Sequence, residues 1–118
     1  MDVFSIILQI LLGVGFLLFG MMKFGSKQMV ENFKNYGYPN GFRILTGLVE
    51  IVAAALLIAG IWNEQLAAIG AFLAVATMIG AIFTHIKVKD KAKDMMMPLV
   101  LLVLSVVVLF SNYSFLLG

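Results

Sequence analysis

The chain has 118 residues, is 63% hydrophobic and only 12% charged, and carries a formal net charge of +2. With a mean hydropathy of +1.09, it lacks the charged surface a water-soluble domain of this length needs, so it reads as one integral membrane domain over residues 1–118. It has no cysteine, which excludes disulfides, iron–sulfur clusters and thiolate metal sites, and a lone His85 builds no metal cage by itself.

Residues 3–22 form the first apolar run, close to the ~20 residues that cross a bilayer. No basic stretch precedes it, so it reads as a span and not as a cleavable leader. Gln9, Gly13, Phe16, Gly20 and Lys23 make a stripe along it at helical spacing. Residues 23–41 are polar, with Lys23, Lys27 and Lys34. Within them Met29, Val30, Phe33 and Tyr36 share one helical face, opposite Lys27, Glu31, Lys34 and Asn35. That pattern predicts a short amphipathic helix in the membrane interface, capped by Ser26 and stopped by Gly37 and the Tyr38-Pro39-Asn40-Gly41 turn.

The second span is expected over residues 42–61, with the stripe Arg43, Gly47, Glu50, Ala54 and Leu57. Glu50 is the feature that most needs explaining. A carboxylate inside a span costs several kcal/mol (from about 2.5 upward) unless it is paired, wetted or protonated. Residues 62–65 form a turn, and Trp62 reads as an interface anchor, as does Tyr113. The third span, residues 66–86, carries Ala67, Gly70, Ala74, Thr77, Ala81 and Thr84, with His85 beside them. Residues 87–94 hold Lys87, Lys89, Lys91 and Lys93, read as solvated and drawn to anionic headgroups. The fourth span, residues 95–117, carries Pro98, Leu101, Ser105, Val108 and Asn112. Thioethers suit Cu(I), but Met95, Met96 and Met97 point in different directions on a helix, so they read as apolar packing.

These patterns predict an all-α, antiparallel bundle of four transmembrane helices, its stripes facing inward and the interfacial helix joining helices one and two. Every Lys and Arg falls in or beside the first and third connections. This is a topology signal and not a nucleic-acid patch. It places the connections 23–41 and 87–94 in the cytoplasm and both termini outside. A helical rise of about 1.5 Å per residue brings Phe16, Glu50, Thr77 and Ser105 to one level, roughly 10–12 Å below the cytoplasmic edge. Lys23, Arg43 and His85 lie nearer the edge. The expected binding site is therefore Lys23, Arg43, Glu50, Thr77, His85 and Ser105. Glu50 is expected to pair with Lys23 or Arg43, with Gly47 leaving room. Two roles stay open for it: an ion pair that sets helix register, or a group that takes up a proton or binds a ligand. Glu50 and His85 are the candidates for catalytic proton transfer, since His exchanges protons near neutral pH.

Residues 13–24, GVGFLLFGMMKF, with Phe16, Gly20 and Lys23, resemble the first-span pattern of the DoxX-like family. The Arg43-to-Glu50 segment, with its Gly-x-x-Glu ending, and residues 77–85 resemble that family's second and third spans. The resemblance covers nearly the whole chain in order. Gln9 departs from it, standing where many relatives in the wider DoxX family place Arg. The resemblance implies a multi-pass protein of the bacterial cell membrane whose relatives are linked to quinone-coupled redox chemistry and to resistance against catechols and quinones. Three functions fit. One is a quinone-linked redox protein acting with a membrane or cytosolic partner, quinone being the only cofactor suggested. The second is a small-solute or proton-coupled carrier, which four helices would need a homo-oligomer to build. The third is a non-catalytic membrane scaffold.

Overall fold

The computed structural model describes residues 3–112, and among these it holds five helices. They are α1 (Val3–Gly25), α2 (Lys27–Tyr36), α3 (Asn40–Ala59), α4 (Glu64–Lys87) and α5 (Ala92–Asn112). Helices α1, α3, α4 and α5 are each long and apolar enough to cross a membrane. The longest dimension, 41 Å, matches a bilayer with its headgroups, about 40–45 Å. The end of the fourth expected span, and Tyr113, lie outside the described residues.

Local chemistry sets the helix ends. The Ser26 hydroxyl accepts from the Met29 amide at 3.4 Å and caps α2. Gly37 then takes the left-handed conformation, φ 82°, and its amide and that of Tyr38 return to the Lys34 and Phe33 carbonyls. A side chain there is strained, so Gly37→Ala should cost about 1 kcal/mol in thermal unfolding. Pro39 then starts α3, and the Asn63 side chain caps α4 through the Gln65 amide at 3.0 Å.

The expected stripes are the buried faces. Gln9, Gly13, Phe16 and Gly20 are buried on α1; Arg43, Gly47, Glu50, Ala54 and Leu57 on α3; Ala67, Gly70, Ala74 and Thr84 on α4; Leu101, Ser105, Val108 and Asn112 on α5. Large apolar side chains such as Leu11, Leu18, Leu48, Phe72 and Val103 cover the outer surface. In water that surface would be costly; against acyl chains it is at home. Helix α1 lies along α3, α3 along α4, and α4 along α5, while α5 touches α1 more lightly.

Glycines bring α1 and α3 together. A Cβ on Gly20 would sit 2.8 Å from the Gly47 carbonyl oxygen, and one on Gly47 would sit 2.9 Å from that of Gly20. Lipid offers no hydrophobic drive between helices, so such close backbone approach supplies much of the cohesion. In the other half of the bundle the Gln9 amide donates to the Leu57 carbonyl at 3.0 Å, fixing the register of the two helices.

Candidate functional site

The last turn of α1 faces the first half of α3, and Gly47 is the reason the two can meet there. A Cβ on Gly47 would come within 3.0 Å of Lys23 Cβ. The bare glycine thus makes room for the lysine stem, not for an approach by Arg43. Lys23 Nζ reaches Glu50 Oε1 at 2.6 Å, with the glutamate 1% and the lysine side chain 12% exposed. The contact is an ion pair by distance but lacks the direction of a hydrogen bond, and Glu50 Oε2 has no hydrogen-bond partner. Of the two cations open as partners for Glu50, Lys23 takes the role.

Arg43 is used differently. Its Nη1 donates to the Lys23 carbonyl, one of the acceptors left open where α1 ends. A guanidinium at a helix C-terminus also complements the helix dipole. Arg43 therefore clamps α3 to the end of α1 and does not border the cavity beside Glu50.

That cavity holds about 610 Å³ and is lined by all five helices. This is within the ~300–1,000 Å³ of ordinary small-molecule sites. Lys23, Glu50, Thr77 and His85 all border it. Ser105 does not. It is fully buried, and its hydroxyl donates to the Leu101 carbonyl at 2.6 Å. Leu101 itself borders the cavity, so Ser105 lies one helical turn beyond it. Thr77 is likewise bonded back to its own helix, donating to the Leu73 carbonyl at 2.7 Å.

An aromatic collar covers the end nearest α2. Phe33, Tyr36, Tyr38 and Phe42 form a run of tilted rings, the closest pair being Tyr38 and Phe42 with centroids 4.8 Å apart. Thr84 fastens the collar to α4. Its hydroxyl donates to the Gly80 carbonyl at 2.9 Å and accepts from the Tyr38 hydroxyl at 3.0 Å. Lys87 Nζ sits 4.8 Å from the Tyr38 ring centre, so this lysine is not simply solvated. Helix α2 is thus more than an in-plane connector: its buried Phe33 anchors a roof.

His85 borders both this cavity and a polar one of about 580 Å³ lined by Gln28, Asn32, Asn35 and Asp90 among others. Its Nδ1 lies 2.5 Å from Asp90 Oδ2. Lys89, at φ 60°, turns the chain after α4 so that Asp90 folds back onto His85. The Tyr36 ring stands edge-on to His85, with centroids 6.2 Å apart. Burial, with help from Asp90 and Asp94, pushes the Tyr36 phenol above its ordinary value.

The residues missed in the sequence are Tyr38, Phe42, Thr84 as a link, and Asp90. The one signal for the collar was the density of aromatic residues between positions 33 and 42. Among the described residues no group of three or more His, Cys, Asp or Glu is placed to hold a metal.

The sequence of the DoxX-like family matches residues 7–108. A protein of Bacillus subtilis (strain 168), named "Uncharacterized protein YdgD", is 34% identical over 113 residues, covering 93% of this chain and 98% of that one. No solved structure matches. A match over most of the chain, joined to four apolar helices with the Lys23 and Glu50 motifs at their packed face, shows that this protein belongs to the DoxX-like family.

Proposed function

We propose that the protein binds a small quinone, or the related hydroquinone or catechol, in the cavity above the Lys23–Glu50 pair. The observation that carries this is a buried, charged donor–acceptor pair at the base of an aromatic-lined space, with Glu50 Oε2 unpartnered. A quinone ring fits such a collar because offset and edge-on ring contacts are favourable. Lys23 would donate to the quinone carbonyl. Glu50 would accept from the hydroxyl of the reduced form, satisfying the orphaned oxygen. Quinone reduction takes up two electrons and two protons; on this reading a membrane or cytosolic redox partner supplies the electrons. Glu50 and the His85–Asp90 pair would exchange the protons.

The test is equilibrium binding of menadiol, the reduced form of menadione, held reduced without oxygen, to the protein in lipid nanodiscs. Glu50→Gln should weaken it about tenfold or more, because a hydrogen bond to a charged group contributes about 1.5–3 kcal/mol. Unaltered affinity in a folded Glu50→Gln protein would remove the site from this cavity.

On the same reading the cavity lies in the cytoplasmic half of the bundle, in the membrane of a bacterial cell. The Lys-rich connections lie at its end, and basic connections stay inside.

A further inference from the structure

Helices α3 and α4 form a fork. At the closed end they touch through their backbones: a Cβ on Gly60 would lie 2.5 Å from Ala67 Cα, and one on Gly70 would lie 2.9 Å from the Leu57 nitrogen. Toward the other end Leu45 and Val49 of α3, and Gly80 of α4, border the cavity instead. A Cβ added to Gly80 meets nothing within 4 Å. The rim residues Leu45 and Phe83 are 55% and 66% exposed, and both lie inside membrane-spanning helices. The mouth of the fork is therefore on the surface that faces lipid, and its rim is apolar. The end toward the connections is the one the collar roofs, pinned by the Tyr38–Thr84 hydrogen bond.

We infer that the ligand reaches the site sideways from the bilayer, between α3 and α4, and that it is an aromatic headgroup carrying an apolar tail. The inference rests on the binding reading above. The headgroup lies against Lys23 and Glu50, and the tail leaves past Gly80 into the acyl region. An apolar rim accepts an alkyl chain without penalty, whereas a hydrated solute would have to shed water there. Gly80 is then the residue that sets whether a tail can pass. It is glycine not for its backbone angles, since it sits within regular helix, but for the space it leaves.

The experiment compares menadione with menadione carrying a decyl tail, each binding to the protein in nanodiscs, with empty nanodiscs subtracted. The variants are Gly80→Leu and Thr84→Val. Gly80→Leu adds its side chain in open space, so the fold should hold, which the thermal midpoint checks. The expected result is that Gly80→Leu weakens the tailed probe about tenfold or more, the cost of overfilling an apolar passage, and the tail-free probe much less. Thr84→Val, which unfastens the roof but keeps the rings of the collar, should leave the rate at which the tailed probe binds unchanged. Equal loss of both probes in Gly80→Leu, or faster binding of the tailed probe in Thr84→Val, would overturn the lateral route while leaving the site itself standing. Failure of both probes to bind the wild-type protein would instead overturn the binding reading, and the lateral route with it.

Discussion

Lys23→Met is expected to lower stability by about 3–5 kcal/mol, because it leaves the buried Glu50 carboxylate without its counter-charge. Glu50 is 1% exposed, and among the described residues its one charged neighbour within ion-pair distance is Lys23. Arg43 is engaged elsewhere, its Nη1 donating to the Lys23 carbonyl. The double variant Lys23→Met, Glu50→Leu should recover most of the loss, as apolar replacement of a whole buried pair is often neutral or stabilising. Equilibrium unfolding in mixed micelles of the wild type, both single variants and the double variant measures the coupling. Purely additive single effects would mean that the two side chains do not act as a pair.

Gly47→Leu should be nearly as damaging. The new side chain would start 2.9 Å from the Gly20 carbonyl oxygen and 3.1 Å from the Phe24 ring. A backbone oxygen cannot swing aside as a side chain can, so α1 and α3 must part. Overpacking typically costs about 1–3 kcal/mol. Here the separation also pulls Lys23 from Glu50 and the Arg43 clamp from α1, so the upper end, about 3 kcal/mol, is expected. Gly15 is the control, with nothing within 4 Å of an added Cβ. Gly15→Ala should be neutral or gain up to about 1 kcal/mol from helix propensity. Thermal midpoints in one detergent compare the two, and equal tolerance at Gly47 and Gly15 would contradict the close helix seam.

The seam was readable before any coordinates because its signal is periodic. Small residues and rare polar ones recur every three or four positions, and only one face of each helix can carry them inward. Arg43 shows where periodicity stops informing. It lies on the correct stripe, one face with Glu50, yet pairs with a main-chain carbonyl; the need for a donor at the end of α1 is a three-dimensional fact. Ser105 fails for a related reason. A hydroxyl on a helix can satisfy itself on the preceding turn, and Ser105 does so with Leu101. Tyr38 and Asp90 sit in connections, where no repeat constrains direction. Their roles come from Gly37 and Lys89, the two positions among the described residues where φ turns positive and the chain folds back. The amphipathic period of α2 marked its apolar face, but not that Phe33 would be buried as the anchor of a roof.

Photolabelling with an azido derivative of menadione tests the central claim most directly. After illumination in nanodiscs, mass spectrometry of the digested protein locates the adducts. They are expected on cavity-lining residues of α3 and α4, between positions 42 and 50 and between 76 and 85, and excess unlabelled menadione should suppress them. Adducts confined to outward-facing side chains such as Phe4 or Phe72, or labelling that excess menadione does not reduce, would contradict a ligand seated over Lys23 and Glu50.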